Sequence, residues 1–285
     1  MMGETVARPL FFEFPQDKNT YSIDSQFLWG SSLMISPALQ KGTTSIGAYF
    51  PSGVWYDWYT GGAIRSNGSV VKLAAPANKI NLHVRGGSIL TLQDPDLTTT
   101  LSRKNKFSLV VSLDVNGTAE GDLFWDDGDT IDTHTMGKFN MIRFLTSKNT
   151  VTNNVMYAGY TDEPMILRSI VVYGVLHKPS TVKFNDKAIS QFTYDDNLHV
   201  LRAQGIAANM LKTFTFQWYD LGLLDYDPNL PQYDSGFLDY DPNLPQYDSG
   251  FLDYDPNLPP YDSSFLDCNP NLAQYDPGFL DFDPN

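Results

Sequence analysis

Three aspartates in four positions, Asp126, Asp127 and Asp129, follow Trp125 in the stretch GDLFWDDGDT (Gly121–Thr130). Carboxyl groups clustered beside an aromatic ring are the ingredients of glycosidic cleavage, where one carboxylate attacks and a second carboxylic acid protonates the leaving oxygen. The spacing argues against that chemistry here. Neighbouring residues on an extended strand point to opposite faces, so Asp126 and Asp127 do not converge on one substrate. Gly128 supplies the freedom to turn and Asp side chains cap turns, which predicts a strand end entering a tight turn with Trp125 packed in the core.

Other residues invite the same weighing. Trp55, Tyr56, Trp58 and Tyr59 form an aromatic run suited to stacking on the apolar face of a sugar ring. Their strand alternation predicts instead that some rings enter the core and others pack against a neighbouring unit. His83 and Arg85 alternate on one strand face before Gly86 and Gly87, and the expected role of Arg85 is to hold a turn through hydrogen bonds to carbonyls. His134, His177 and His199 are dispersed without the spacing of a metal site or a partner nucleophile, so no catalytic, metal or cofactor residue is assigned. Asn67 in NGS and Asn116 in NGT match the N-glycosylation sequon, which requires an exposed turn in a secreted chain.

The elements that carry these residues read as strands. KFSLVVSLDV (106–115), FNMIRFLTS (139–147), LRSIVVYGV (167–175), STVKFND (180–186) and TFTFQWYD (213–220) are short runs of β-branched and aromatic residues. DVNGT and FNDK separate them at hairpin spacing. With no amphipathic helix between them, the expected class is all-β, two antiparallel β-sandwich domains joined near residue 100 by the polar stretch QDPDLTTTLSRKNK.

From Leu224 the chain changes character. LDYDPNLPQYDSGF recurs every fourteen residues, and residues 221–285 hold thirteen Asp with no Glu, Lys, Arg or His. The repeats place prolines and aspartates where neither a helix nor a central strand continues, which predicts a disordered, self-repelling tail. Asp225, Asp227 and Asn229 repeat the opening oxygen spacing of a calcium loop but lack its sixth-position Gly and closing Glu. Of the formal charge of −14, the tail accounts for thirteen units, leaving 20 acids against 19 bases in residues 1–220. Lys and Arg are scattered, which excludes a nucleic-acid binder. Cys268 is the one cysteine, so no intrachain disulfide forms. The start, MMGETVARPLFFEF, lacks the basic and apolar regions of a signal peptide, and no window approaches the ~18 apolar residues of a membrane helix.

TVARPLFFEFPQD (5–17), QFLWGSSLMISPAL (26–39), AYFPSGVWYDWYTG (48–61), INLHVRGGSIL (80–90) and GDLFWDDGD (121–129) occur in an order and spacing that resemble the C-terminal portion of glycoside hydrolase family 31 α-glucosidases. The resemblance covers residues 4–220 and leaves the repeats outside. It implies RPLFFEF as the last strand of a (β/α)8 catalytic barrel, residues 1–25 as the barrel remnant, 26–97 as a proximal sandwich, 98–220 as a distal one and 221–285 as the disordered tail. It also implies hydrolysis, with retention, of terminal α-linked glucose from maltose, starch or glycogen oligosaccharides, in a lysosomal, secreted or cell-surface setting. The family's two catalytic aspartates would precede Met1, so the chain alone is expected to be inactive and its partner, an α-glucan or maltooligosaccharide, to belong to the full enzyme. Glu13 is the acid nearest the ancestral site and the pattern gives it no role. The alternative is a non-catalytic carbohydrate-binding or interaction module with Trp55, Tyr56, Trp58 and Tyr59 as the sugar contacts.

Overall fold

The computed structural model describes residues 5–220. The first strands are β1 (Ala7–Pro9), β2 (Phe27–Trp29), β3 (Leu33–Ser36), β4 (Ser45–Phe50), β5 (Gly53–Asp57), β6 (Ala63–Ser66), β7 (Ser69–Ala74) and β8 (Asn81–Arg85). Six of them form an antiparallel sheet in the order β1-β2-β3-β8-β5-β6, and β4 pairs with β7 as a two-stranded ribbon. Leu28 and Met34 from the sheet meet Ala48 and Phe50 from the ribbon around fully buried Trp55, so two layers enclose one core. That is the sandwich expected of alternating apolar runs.

The remaining strands are β9 (Ser88–Gln93), β10 (Phe107–Ser112), β11 (Ala119–Trp125), β12 (Asn140–Ser147), β13 (Thr150–Ala158), β14 (Ile166–Tyr173), β15 (Pro179–Phe184), β16 (Lys187–Ala188), β17 (Phe192–Asp195), β18 (Val200–Ala203), β19 (Ala208–Asn209) and β20 (Thr215–Asp220). They form one hydrogen-bonded path, β16-β15-β20-β13-β12-β11-β9-β10-β14-β18-β17, with β19 beside β14. Burial alternates strictly along β12 from Ile142 to Ser147, and its inward Ile142 and Phe144 join Leu109, Leu167, Phe216 and Trp218 in the larger core. The FNDK turn closes β15 onto β16 with Asn185 and Asp186 both at positive φ, 48° and 63°. This is the backbone that two-residue hairpins demand.

Several local expectations change. The pairing is not antiparallel throughout: β10 runs parallel to β14, and β9 bridges β11 in parallel. Neither pair is joined by a hairpin, so nothing forces the antiparallel sense. β9 lies before the expected boundary at residue 97 but pairs antiparallel with β10 in the second sheet. A third apolar cluster, Val54 and Tyr56 with Val110, Tyr173 and Val200, joins the two sandwiches, and Tyr56 Oη donates to Leu113 O at 2.7 Å across it.

In this chain RPLFFEF forms a short strand and a helical turn. β1 is only three residues long and runs antiparallel to β2, with Ala7 opposite Trp29. Pro9 has no N–H to continue a ladder, and Leu10–Glu13 follow as one helical turn, α1. A short apolar run fits either helix or strand by pattern alone. The turn brings Leu10 to 0% exposure and the Phe14 ring centroid to within 5.9 Å of the Trp55 ring centroid, leaving Phe11 and Phe12 exposed. The repeats, with Cys268 and the expected tail disorder, lie outside the described residues.

Candidate functional site

The aspartate cluster sits where β11 ends. Gly128 takes φ +75°, and the chain turns over the two carboxylates. Asp126 Oδ1 accepts from Gly128 N at 2.9 Å and its Oδ2 from Thr133 Oγ1 at 2.6 Å. Asp127 Oδ1 accepts from the N–H groups of Asp129 and Thr130 at 3.1 and 2.9 Å, and its Oδ2 accepts from Thr130 Oγ1. The Arg103 guanidinium donates to Asp126 O, lies 3.7 Å from Asp126 Oδ1 and covers the Trp125 ring at 3.8 Å. Trp125 in turn packs edge-on against Phe107, its centroid 5.0 Å away, at the margin of the larger core.

These contacts decide the chemistry. The Thr130 hydroxyl, then the backbone N–H groups of Thr130 and Asp129, hold the Asp127 carboxyl down to about 2. A general acid of a glycosidase pair needs the opposite, a carboxyl kept protonated near neutral pH. Asp126 and Asp127 are turn caps, as their spacing implied.

The aromatic run divides. Trp55 is fully buried and donates Nε1–H to Pro51 O at 3.0 Å, while Tyr56 is 2% exposed with its hydroxyl bonded to Leu113 O and its acidity suppressed by burial to about 12. Neither ring reaches a ligand, so two of the four expected sugar contacts are core residues, because β5 is covered on both faces. Trp58 is half-buried, and the Tyr173 hydroxyl donates to its backbone carbonyl. Tyr59 is 49% exposed, but Lys79 Nζ lies over its ring at 4.7 Å and its hydroxyl is tied to Ile80 O.

His83 and Arg85 also separate in role. His83 is 1% exposed in the middle of the first sheet, edge-on to Phe50, and its Nδ1 has no hydrogen-bond partner. Arg85 does not hold a turn through carbonyls: its guanidinium lies 3.7 Å from Glu13 Oε2 and over the Phe14 ring at 4.5 Å. Glu13 Oε1 also receives Arg8 Nη1 at 2.5 Å, so this acid is bound to two arginines. His199 Nδ1 meets Tyr194 Oη, His134 stacks on Phe139, and His177 is exposed. Among the described residues, no group of three or more His, Cys, Asp or Glu is placed to hold a metal ion. Asn67 and Asn116 are exposed in tight turns, each followed by a glycine at positive φ.

A feature without a sequence forecast is the network below Asn67. Tyr49 Oη donates to Asp17 Oδ2 at 2.6 Å and accepts from Asn19 Nδ2 at 3.2 Å, linking the PQD turn to β4. Asp17 two residues before Asn19 signals a side-chain-capped turn, but the thirty-residue jump to Tyr49 has no local signature.

The fold and its clustered carboxylates thus define a pair of joined β-sandwiches whose acidic motif builds a turn. Residues 3–90 match the glycosyl hydrolase family 31 C-terminal domain. The chain is 38% identical over 224 residues to intestinal sucrase-isomaltase of Homo sapiens, covering 76% of this chain and 12% of that protein. It is 38% identical over 231 residues to lysosomal alpha-glucosidase of Bos taurus, covering 76% and 24%. The solved glucosidase II alpha subunit superposes with a TM-score of 0.64 at 26% identity, covering 75% of this chain and 26% of that one. The chain therefore carries the C-terminal region of a family 31 glycosyl hydrolase. It spans no more than about a quarter of the length of these curated relatives.

Proposed function

We propose that the chain is the C-terminal sandwich region of a retaining α-glucosidase that releases terminal α-linked glucose from maltose, starch or glycogen oligosaccharides, and that the chain alone does not hydrolyse them. The observation that carries this reading is the similarity over three quarters of the chain to sucrase-isomaltase and lysosomal alpha-glucosidase. Retention requires two carboxyl groups about 5–5.5 Å apart, one to attack the anomeric carbon and one to protonate the leaving oxygen. Asp126 and Asp127 are committed to a turn and Glu13 to two arginines, which supports an inactive chain. Exposed Phe11, Phe12 and Trp29 lie on the first segments of the fold, as expected of a surface packed against a catalytic unit. The names of the two relatives favour a lysosomal or extracellular setting.

The test has two arms. An antibody raised to residues 25–220 should detect a natural product several-fold larger than 32.0 kDa that releases glucose from maltose, while the purified chain releases none. Glucose release by the purified chain, abolished by Glu13→Gln, would sink the proposal. A second reading, a non-catalytic carbohydrate-binding module, is favoured if the only natural product runs near 32.0 kDa.

A further inference from the structure

Two clefts of about 500 and 530 Å³ open beside the PQD turn and share Asn19, Tyr49 and Gly68 in their walls. Each has the volume of a small-ligand site. The shared wall is rigidly built. Asp17 caps the single 3₁₀ turn Lys18–Thr20 by accepting from Asn19 N, and the Asp17–Tyr49–Asn19 hydrogen bonds fix the ring. Gly68 stands at φ +86°, where a Cβ would come within 2.9 Å of Tyr49 Oη, so the backbone approaches as closely as a glycine permits.

What this wall offers a ligand is hydrogen-bonding groups and no cation, with the Asp17 carboxylate accepting from the neutral Tyr49 hydroxyl and Asn19 amide. Glu13 is held by Arg8 and Arg85, Asp17 by Tyr49 and Asn19, and no lysine or arginine lines the first cleft. Gln16, Ser52 and Asn67 are exposed around it, and their side chains have no partner among the described residues. Amides and a hydroxyl both donate and accept, which matches vicinal sugar hydroxyls that do the same. An anion would find no cation there, and an apolar ligand would leave three amides and hydroxyls without water or partner.

We propose that this cleft is a non-catalytic subsite for a neutral oligosaccharide segment. That the sugar is α-linked glucose rests on the function proposed above.

The test is an amide-shift titration of the full chain with maltotriose and, separately, mannotriose. The chain is produced in bacteria, which leaves Asn67 without a glycan. The expected result is saturable shifts at Gln16, Asn19, Ser52 and Asn67 with millimolar affinity for maltotriose. Gln16→Ala and Asn67→Ala should each weaken binding about three- to tenfold, the loss of one hydrogen bond. Both residues are exposed, so Tm should hold, and Asn116→Ala should leave binding unchanged. Saturation by mannotriose alone would keep the cleft and overturn its α-glucan assignment. No saturation by either sugar up to about 50 mM, or shifts centred on Tyr59, would overturn the cleft itself.

Discussion

At the scale of single residues, environment outweighs type. Asp127 and His83 are both titratable, yet only one is paired. Asp127 is ionised and saturated with donors at the surface, whereas His83 is enclosed with an empty Nδ1. Burial, with a smaller opposing effect from Asp57 and a further lowering from Lys79, takes His83 down to about 4 from 6.5. The folded state therefore favours the neutral ring, so the unfolded chain binds the extra proton as pH falls. The stabilisation is complete above pH 6.5 and is lost as pH drops toward 4, a gap of about 3 kcal/mol. Urea denaturation at pH 7, 6 and 5 should show this decline, and His83→Leu should flatten it. An unchanged pH slope in the variant would mean that His83 does not titrate differently in the two states.

At the scale of elements, close backbone approaches set what each strand tolerates. β11 passes β9 so tightly that a Cβ on Gly121 would lie 2.1 Å from Ile89 O, a backbone atom that cannot swing aside. Gly30 also has a restrictive backbone, φ +59°, but its Cβ would meet nothing within 4 Å. Gly121→Ala should cost upwards of about 3 kcal/mol through displaced strands, against about 1 kcal/mol for Gly30→Ala through backbone strain alone. Chemical denaturation of the two variants checks the ranking. Equal losses would show that β9 and β11 separate easily. The aspartate turn depends on the same packing, since Gly121 lies within the strand that delivers Asp126.

At the scale of the whole molecule, charge is distributed unevenly along the sequence. Residues 1–220 carry 20 acids and 19 bases, and the repeats carry the rest of the −14. Net charge keeps proteins dispersed, and a value near zero promotes association. Deleting residues 221–285 should move elution from anion exchange to much lower salt and reduce solubility at pH 7 and low ionic strength, most of all with Phe11, Phe12 and Trp29 exposed. Unchanged solubility would assign the tail no colloidal role.

The order of short β-branched runs, the FNDK hairpin and the turn chemistry of WDDG were legible in the sequence, because each depends on residues a few positions apart. The motifs that resemble family 31 were equally local. Only the tertiary structure decided which rings of Trp55–Tyr59 reach water, since burial depends on both sheets covering β5. It likewise made Arg85 a partner of Glu13, folded RPLFFEF into a β1 stub with a helical turn, and brought Tyr49 to Asp17. Those outcomes are set by contacts between residues far apart in the chain, for which pattern and propensity supply no register.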